Sequence, residues 1–280
     1  MQPVEDKKPQ PKTEQKKPSA RGGTSLTAIG DNTFLLVAGA DRQPMEFNDL
    51  WLLKVIVDKD SGKCKFGWKQ LPEEKNFQPR TGHSACFYKG KVYIYGGQNY
   101  RNNSHTSELW QFDPHLQKFE RLDTINTPAP RNSHGACVDP NTGIMYVFGG
   151  ANDNGLLREF YQLDLNTLQW TKLDIDKEIH TMQMLTLHFH KGAVYFIGGL
   201  SDENSEDPNH QPIGKSISRY CPSTKEWTPK VKKLPAHLCS SASAFVGEDL
   251  YIIGGLTPAG FSDCIYRVDI RSEERRVGKE

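Results

Sequence analysis

The chain has 280 residues, 36% hydrophobic and 10% aromatic, with a formal net charge of +1. This is enough apolar material for one large core or an array of repeats. The near-neutral balance argues against a surface built for nucleic acid or acidic substrates. No apolar run approaches the length needed to span a bilayer, and the N-terminus has no apolar stretch for a secretory leader. A soluble protein of the cytoplasm, or of cytoplasm and nucleus, is the expectation, with no membrane insertion.

Residues 1–21 contain no Phe, Trp, Tyr, Ile or Leu and carry a net charge of +3. Such a segment buries too little to offset its ordering entropy, so a disordered basic, proline-rich tail is expected. Residues 271–280 carry +1, which leaves about −3 for the body between, with histidines neutral. The body repeats one phrase: Val92-Tyr93-Ile94-Tyr95-Gly96-Gly97, Met145-Tyr146-Val147-Phe148-Gly149-Gly150, Val194-Tyr195-Phe196-Ile197-Gly198-Gly199 and Leu250-Tyr251-Ile252-Ile253-Gly254-Gly255. A degenerate copy, Leu35-Leu36-Val37-Ala38-Gly39, precedes them. The second glycines are 58, 53, 49 and 56 residues apart. A period near 50 means one structural unit per repeat.

Each unit reads as four short antiparallel strands joined by tight turns. In the second copy the strands are expected over 81–88, 91–97, 108–113 and 118–122. The third copy repeats this over 133–138, 144–150, 159–164 and 168–173. The glycine doublet closing the second strand permits positive φ and close approach of a neighbouring backbone. Aromatics keep phase with it. Trp51, Trp110, Tyr161 and Tyr266 fall on third strands, and Trp68, Phe119, Trp170 and Trp227 on fourth strands. One large flat side chain per strand suits packing between adjacent sheets.

The doublet, the tyrosine before it, the fourth-strand aromatic and the R-x-x-H openings (Arg80–His83, Arg131–His134) resemble kelch repeats over residues 22–270. The resemblance implies an all-β, kelch-type β-propeller of four-stranded antiparallel blades. The blades are expected at about 22–72, 78–123, 130–175, 182–234 and 238–270, the last incomplete. The R-x-x-H opening is missing from the first, fourth and fifth copies. About five blades are therefore present, and a chain truncated from six or seven is the expectation, since an open ring exposes sheet edges and blade faces. The final residues, RSEERRVGKE, resemble a translated sequencing adapter, so 271–280 is expected to be an artefact or a charged tail.

The six cysteines form no C-x-x-C pair, and Cys86 and Cys137 hold equivalent places, so reduced core thiols are expected. There is no phosphate-binding loop, H-E-x-x-H or G-x-S-x-G. The loop 201–214 holds Asp202, Glu203, Glu206, Asp207 and His210. It resembles the iron-binding E-x-x-x-D-x-x-x-H of kelch-type specifier proteins, but His210 falls one residue short, and a solvated acidic insertion is expected. No cofactor, no metal and no catalytic residue are assigned.

His83 and His134, being repeated, are expected to hydrogen-bond between blades. Arg80 and Arg131 stand beside them. Near a channel rim they could anchor an acidic peptide, or they could brace blades. The loops after the doublets (41–48, 98–106, 151–158, 200–215 and 256–262) are expected to form a recognition rim on rigid sheets. They offer Arg42, Phe47, Tyr100, Arg101, His105, Arg158 and Phe261, residue types that dominate protein interfaces. The expected function is a non-catalytic scaffold or adaptor binding a protein or peptide partner. The alternatives are a kelch-fold enzyme or metal protein (galactose-oxidase-like or specifier-like) and a substrate receptor of a ubiquitin ligase.

Overall fold

The computed structural model describes residues 16–271, except 42, 44, 177, 178, 180 and 202–212. The described chain is all-β and forms five antiparallel blades. Blade one is Ser25–Gly30, Thr33–Ala40, Glu46–Val57 and Cys64–Gln70. Blade two is Ser84–Tyr88, Lys91–Tyr95, Leu109–Asp113 and Lys118–Leu122, and blade three is Gly135–Val138, Ile144–Phe148, Phe160–Asp164 and Gln169–Leu173. Blade four is Thr186–His190, Ala193–Ile197, Ser216–Cys221 and Glu226–Lys233. Blade five has three strands among the described residues, Ala242–Val246, Asp249–Ile253 and Ile265–Asp269. The first strands neighbour one another in sequence order, so they form the hub and the fourth strands the circumference. This is the β-propeller that the repeat predicts.

The cores lie between blades rather than within them. Leu35, Val37 and Leu50 of blade one face Val92, Ile94 and Phe112 of blade two. The next interfaces are built likewise around Tyr95 with Leu163, Phe148 with Phe196, and Ile197 with Ile252. The fourth-strand aromatics close these interfaces, as their phase requires. Trp170 packs on Tyr95 of blade two at 4.8 Å between ring centroids, and Trp227 on Phe160 of blade three at 5.4 Å. Burying a side chain of this size stabilises by roughly 4–6 kcal/mol on area alone.

The doublets act through the backbone. Gly96 has φ +70°, and a Cβ there would lie 2.7 Å from the Arg131 carbonyl oxygen of the next blade. The Gly97 N–H donates to that same oxygen at 2.9 Å. The degenerate first copy meets the requirement differently, because Ala38 itself adopts φ +51°.

The expected first strands start too early. Residues 81–83 are not strand but a turn with its own repeat. Gly23, Gly82, Ser133, Met184 and Ser240 all have φ between +51° and +66°. The N–H of each donates to the carbonyl of its predecessor: Gly82 to Gly23 at 2.9 Å, Ser133 to Gly82 at 2.7 Å, Met184 to Ser133 at 2.8 Å and Ser240 to Met184 at 2.9 Å. This chain of main-chain bonds links all five blades around the hub.

Candidate rim interface and its supports

Directly under the rim, blades one to three repeat one polar cluster. Arg80 is 2% exposed and Arg131 0%. Arg131 donates from Nε to the Ala129 carbonyl at 3.1 Å, from Nη1 to Gly149 at 3.0 Å and from Nη2 to Glu159 at 2.9 Å. Arg80 does the same with Gln78, Gly96 and Glu108. The carboxylates are shared: Trp110 Nε1 donates to Glu108 at 3.0 Å, and Lys172 to Glu159 at 3.0 Å. Burial alone would raise the Glu159 carboxyl, but the hydrogen bonds from Lys172 and Arg131 outweigh it and hold it below its ordinary value.

The first blade has the same cluster. Arg21 reaches Asp49 at 2.5 Å and the Ala38 carbonyl at 3.2 Å, and its guanidinium stacks over Phe47 at 3.8 Å. Arg21, placed by the sequence reading at the end of a disordered tail, therefore belongs to blade one. Its neighbours could not show this by composition. The signal was spacing, because each arginine precedes its carboxylate by 28 residues. Blades four and five carry Met182 and Leu238 at the arginine position, and Ser216 and Cys264 at the carboxylate position. Both charges are absent together, as desolvation demands, since either alone would be an uncompensated buried ion.

Arg80 and Arg131 are thus braces within their blades, with no exposed surface to offer a peptide. The histidines beside them span blades. His83 Nε2 lies 2.9 Å from Ser25 Oγ, and His134 Nε2 lies 2.8 Å from Ser84 Oγ. Blade four repeats the device in the other direction, with His188 2.8 Å from Ser243. Burial, and then the neighbouring arginine, push His83 and His134 down to about 3, so both are neutral.

The rim loops are not featureless. Gln98–Asn99 pairs with Ser104–His105, Ala151–Asn152 with Gly155–Leu156, and Leu256–Thr257 with Gly260–Phe261, each a small two-stranded ribbon. The blade-two ribbon is fastened across to blade one. Glu46, whose side chain is 0% exposed, accepts from the Tyr100 N–H at 2.5 Å and lies 3.5 Å from Arg101 Nε. Tyr100 and Arg101 stand outward together, 51% and 53% exposed. Phe261 is 92% exposed, and Arg158 is exposed. His105 is not available for contact: its side chain is 7% exposed and lies 3.2 Å from Asp153 of the next ribbon. Phe47 is half-buried as the platform for Arg21. Arg42 lies outside the described residues, as do residues 202–212 with their acidic cluster and residues 272–280. Beside the ribbon a polar cleft of about 240 Å³ is lined by Gln78, Gln98, Asn99, Asn102, Ser104 and His105.

Sequence reading missed Glu46, which has no repeat partner, and the clamping carboxylates Asp49, Glu108 and Glu159. Among the described residues no three His, Cys, Asp or Glu side chains converge as a metal site, and no helix is long and apolar enough to cross a membrane.

A radial stack of blades with phased glycine doublets defines the class, a repeat β-propeller. The family description "KLHDC2/KLHL20/DRC7 Kelch-repeats domain" matches residues 3–199, and the chain belongs to the kelch-repeat family. It is 27% identical to Kelch domain-containing protein 3 of Bos taurus over 188 residues, covering 63% of this chain and 47% of that protein. An F-box/kelch-repeat protein of Arabidopsis thaliana is 30% identical over 167 residues, covering 50% and 33%. Host cell factor 2 of Homo sapiens is 27% identical over 216 residues, covering 63% and 26%. The chain spans less than half the length of these relatives.

Proposed function

We propose that the chain is a non-catalytic interaction module that binds a protein or peptide partner at the blade-one and blade-two rim. The observation that carries this reading is the buried Glu46 carboxylate fastening the blade-two ribbon, so that Tyr100 and Arg101 point outward side by side. An exposed aromatic beside an exposed arginine offers apolar area with a forked donor. Holding both on a braced ribbon lowers the ordering cost of binding. Membership of a family described by kelch repeats supports a scaffold or adaptor role by analogy of fold.

The test is the double variant Tyr100→Ala with Arg101→Ala. Both side chains are half exposed, but Arg101→Ala also strips the buried Glu46 carboxylate of its ion partner, so a melting curve must first show the double variant folded, and Tyr100→Ala with Arg101→Lys serves as the companion that keeps a cation beside Glu46. Quantitative affinity capture from native lysate, read by mass spectrometry against the wild-type protein, should lose its principal partner. Retention of every specific partner by the double variant would move the interface away from this rim.

A further inference from the structure

The outer hairpin of blade one runs further than its counterparts at the end away from the rim. Val37 pairs with Leu50 as Tyr95 pairs with Leu109, so Lys54 falls at the position of Asp113. In blades two and three the third strand stops there, at Asp113 and Asp164, and the chain turns back. In blade one it continues through Val55, Ile56 and Val57, which pair with Phe66, Lys65 and Cys64 beyond Thr33, the last partner from the second strand. The turn moves with it. Asp113 Oδ1 accepts from the N–H groups of His115 and Leu116, and Asp58 Oδ1 from those of Asp60 and Ser61. Three extra residue pairs make an overhang of roughly 10 Å.

This tip stands beyond the layer of the blades, and a neighbour of ordinary length leaves it uncovered. Ile56 shows this directly. It shares a face with Leu50 and Leu52, which pack on blade two, and is 56% exposed with that blade in place. Val57 and Phe66, on the opposite face, are 48% and 59% exposed. Large apolar side chains therefore project from both faces of the tip, with Lys59, Lys63 and Lys65 exposed among them. Residues 54–66 hold four lysines against two aspartates, a net +2 on a body of about −3.

The choice of occupant follows from this geometry. A second copy would bring the same positive tip. A strand added along Cys64–Gln70 would meet Lys65 and Lys69, the kind of charged edge residue that opposes pairing. A single protein surface covers one face of a hairpin and leaves the other in water. A lipid headgroup layer surrounds a projecting tip on every side. It takes apolar side chains at its inner boundary and lysines on its anionic groups.

We infer that the blade-one hairpin seats this protein on an anionic bilayer surface, with Ile56, Val57 and Phe66 at the headgroup–acyl boundary and Lys59, Lys63 and Lys65 on the lipid headgroups. The tip is ordered by its own strand pairing, so docking takes little conformational freedom. The contact does not span the membrane. Glu46 begins this 12-residue strand at the rim and Val57 ends it roughly 35 Å along, so Tyr100 and Arg101 face away from the lipid.

Co-sedimentation of the purified 280-residue protein tests this, with vesicles of phosphatidylcholine alone and of phosphatidylcholine with phosphatidylserine at about 3:1. The wild type should pellet with the mixed vesicles and stay in solution with the neutral ones. Each lysine beside such a surface contributes about fivefold, so Lys63→Glu with Lys65→Glu should weaken partition at least about twentyfold. Ile56→Ser with Phe66→Ser should weaken it at least about tenfold through lost apolar burial. All four side chains are exposed, so far-UV spectra and melting temperatures should match the wild type. A label gives a readout that leaves these side chains in place. With Cys221→Ser and Cys264→Ser, Cys64 is the remaining exposed thiol, because Cys86, Cys137 and Cys239 are buried. An environment-sensitive fluorophore on it should shift to the blue with the mixed vesicles only. A wild type that ignores the mixed vesicles, or binds the neutral ones equally, overturns the inference. So does binding that survives both double variants, or pelleting without a blue shift at Cys64, since either places the lipid contact elsewhere. Binding of poly-glutamate through the same lysines, with vesicles ignored, assigns the tip to an acidic protein and overturns it as well.

Discussion

Replacing Arg131 and Glu159 separately and together tests whether the polar cluster under the rim is a desolvated pair. Glu159→Ser leaves the Arg131 guanidinium at 0% exposure with carbonyl partners only. An uncompensated buried charge of this kind costs about 3–5 kcal/mol. Arg131→Met removes the charge instead. The side chain of Glu159 is 28% exposed and keeps Lys172, so its own penalty is small. The loss is mainly the orphaned Gly149 and Ala129 carbonyls, about 1–3 kcal/mol. The double variant installs the pair that blade four carries naturally, Met182 with Ser216. Its destabilisation should fall below the sum of the single losses by at least about 1 kcal/mol, a coupling expected of groups in direct contact. Urea unfolding followed by tryptophan fluorescence, with constant m-values as the control, gives all three numbers. If Glu159→Ser proves milder than Arg131→Met, or the two losses simply add, the reading of a buried compensated pair is wrong.

Acid should destabilise the propeller before its carboxylates protonate. The folded values of His83 and His134 are about 3 against an ordinary 6.5, so the unfolded chain takes up protons first. Their contribution is complete above pH 6.5 and shrinks as pH falls, by about 2 kcal/mol per histidine at pH 5; urea midpoints from pH 7.5 to 5 should fall, and His83→Gln with His134→Gln should flatten the slope. Gly96→Ala combines φ +70° with a Cβ 2.7 Å from the Arg131 oxygen. About 1–3 kcal/mol of backbone strain and about 1–3 of crowding are expected, visible as a lowered melting temperature, and an unchanged one would refute the close-approach account. Thiol titration should separate the cysteines. Hydrogen bonds led by Ser223 draw Cys221 down to about 7, and burial pushes Cys86 up to about 12. With Cys64 and Cys264 exposed, three thiols should react in the native protein, Cys221 earliest near neutral pH, while Cys86 and Cys137 wait for unfolding.

The blades were legible because their determinants are local and periodic. Glycine doublets, second-strand tyrosines and fourth-strand aromatics recur at short, fixed offsets. Trp170 and Trp227 pack between sheets, on Tyr95 and Phe160 of the preceding blades, as that phase requires. The hub series was illegible for a physical reason. Its links are peptide groups, and the position is filled by glycine, serine or methionine as long as φ is positive. The rim was half legible. Tyr100, Arg101 and Phe261 face outward, but no pattern announced that His105 turns inward or that Glu46 reaches from the neighbouring blade. The arginine clusters could have been found by asking which acids lie a constant 28 residues downstream. Arg21 was lost because a tail defined by composition ends wherever the first apolar residue begins.

The hub linkage also bears on how such a molecule can diversify. Where neighbouring modules are lashed by amides and carbonyls, the knot itself uses no side chain, although Gly23 leaves no room for one, since a Cβ there would collide with the Thr81 side chain. Substitutions can then accumulate at the positions held by Ser133, Met184 and Ser240 with the main-chain bonds kept. Each module can drift in its outer loops, or lose an ion pair altogether as the last two have, while its seat beside its neighbours stays where it was.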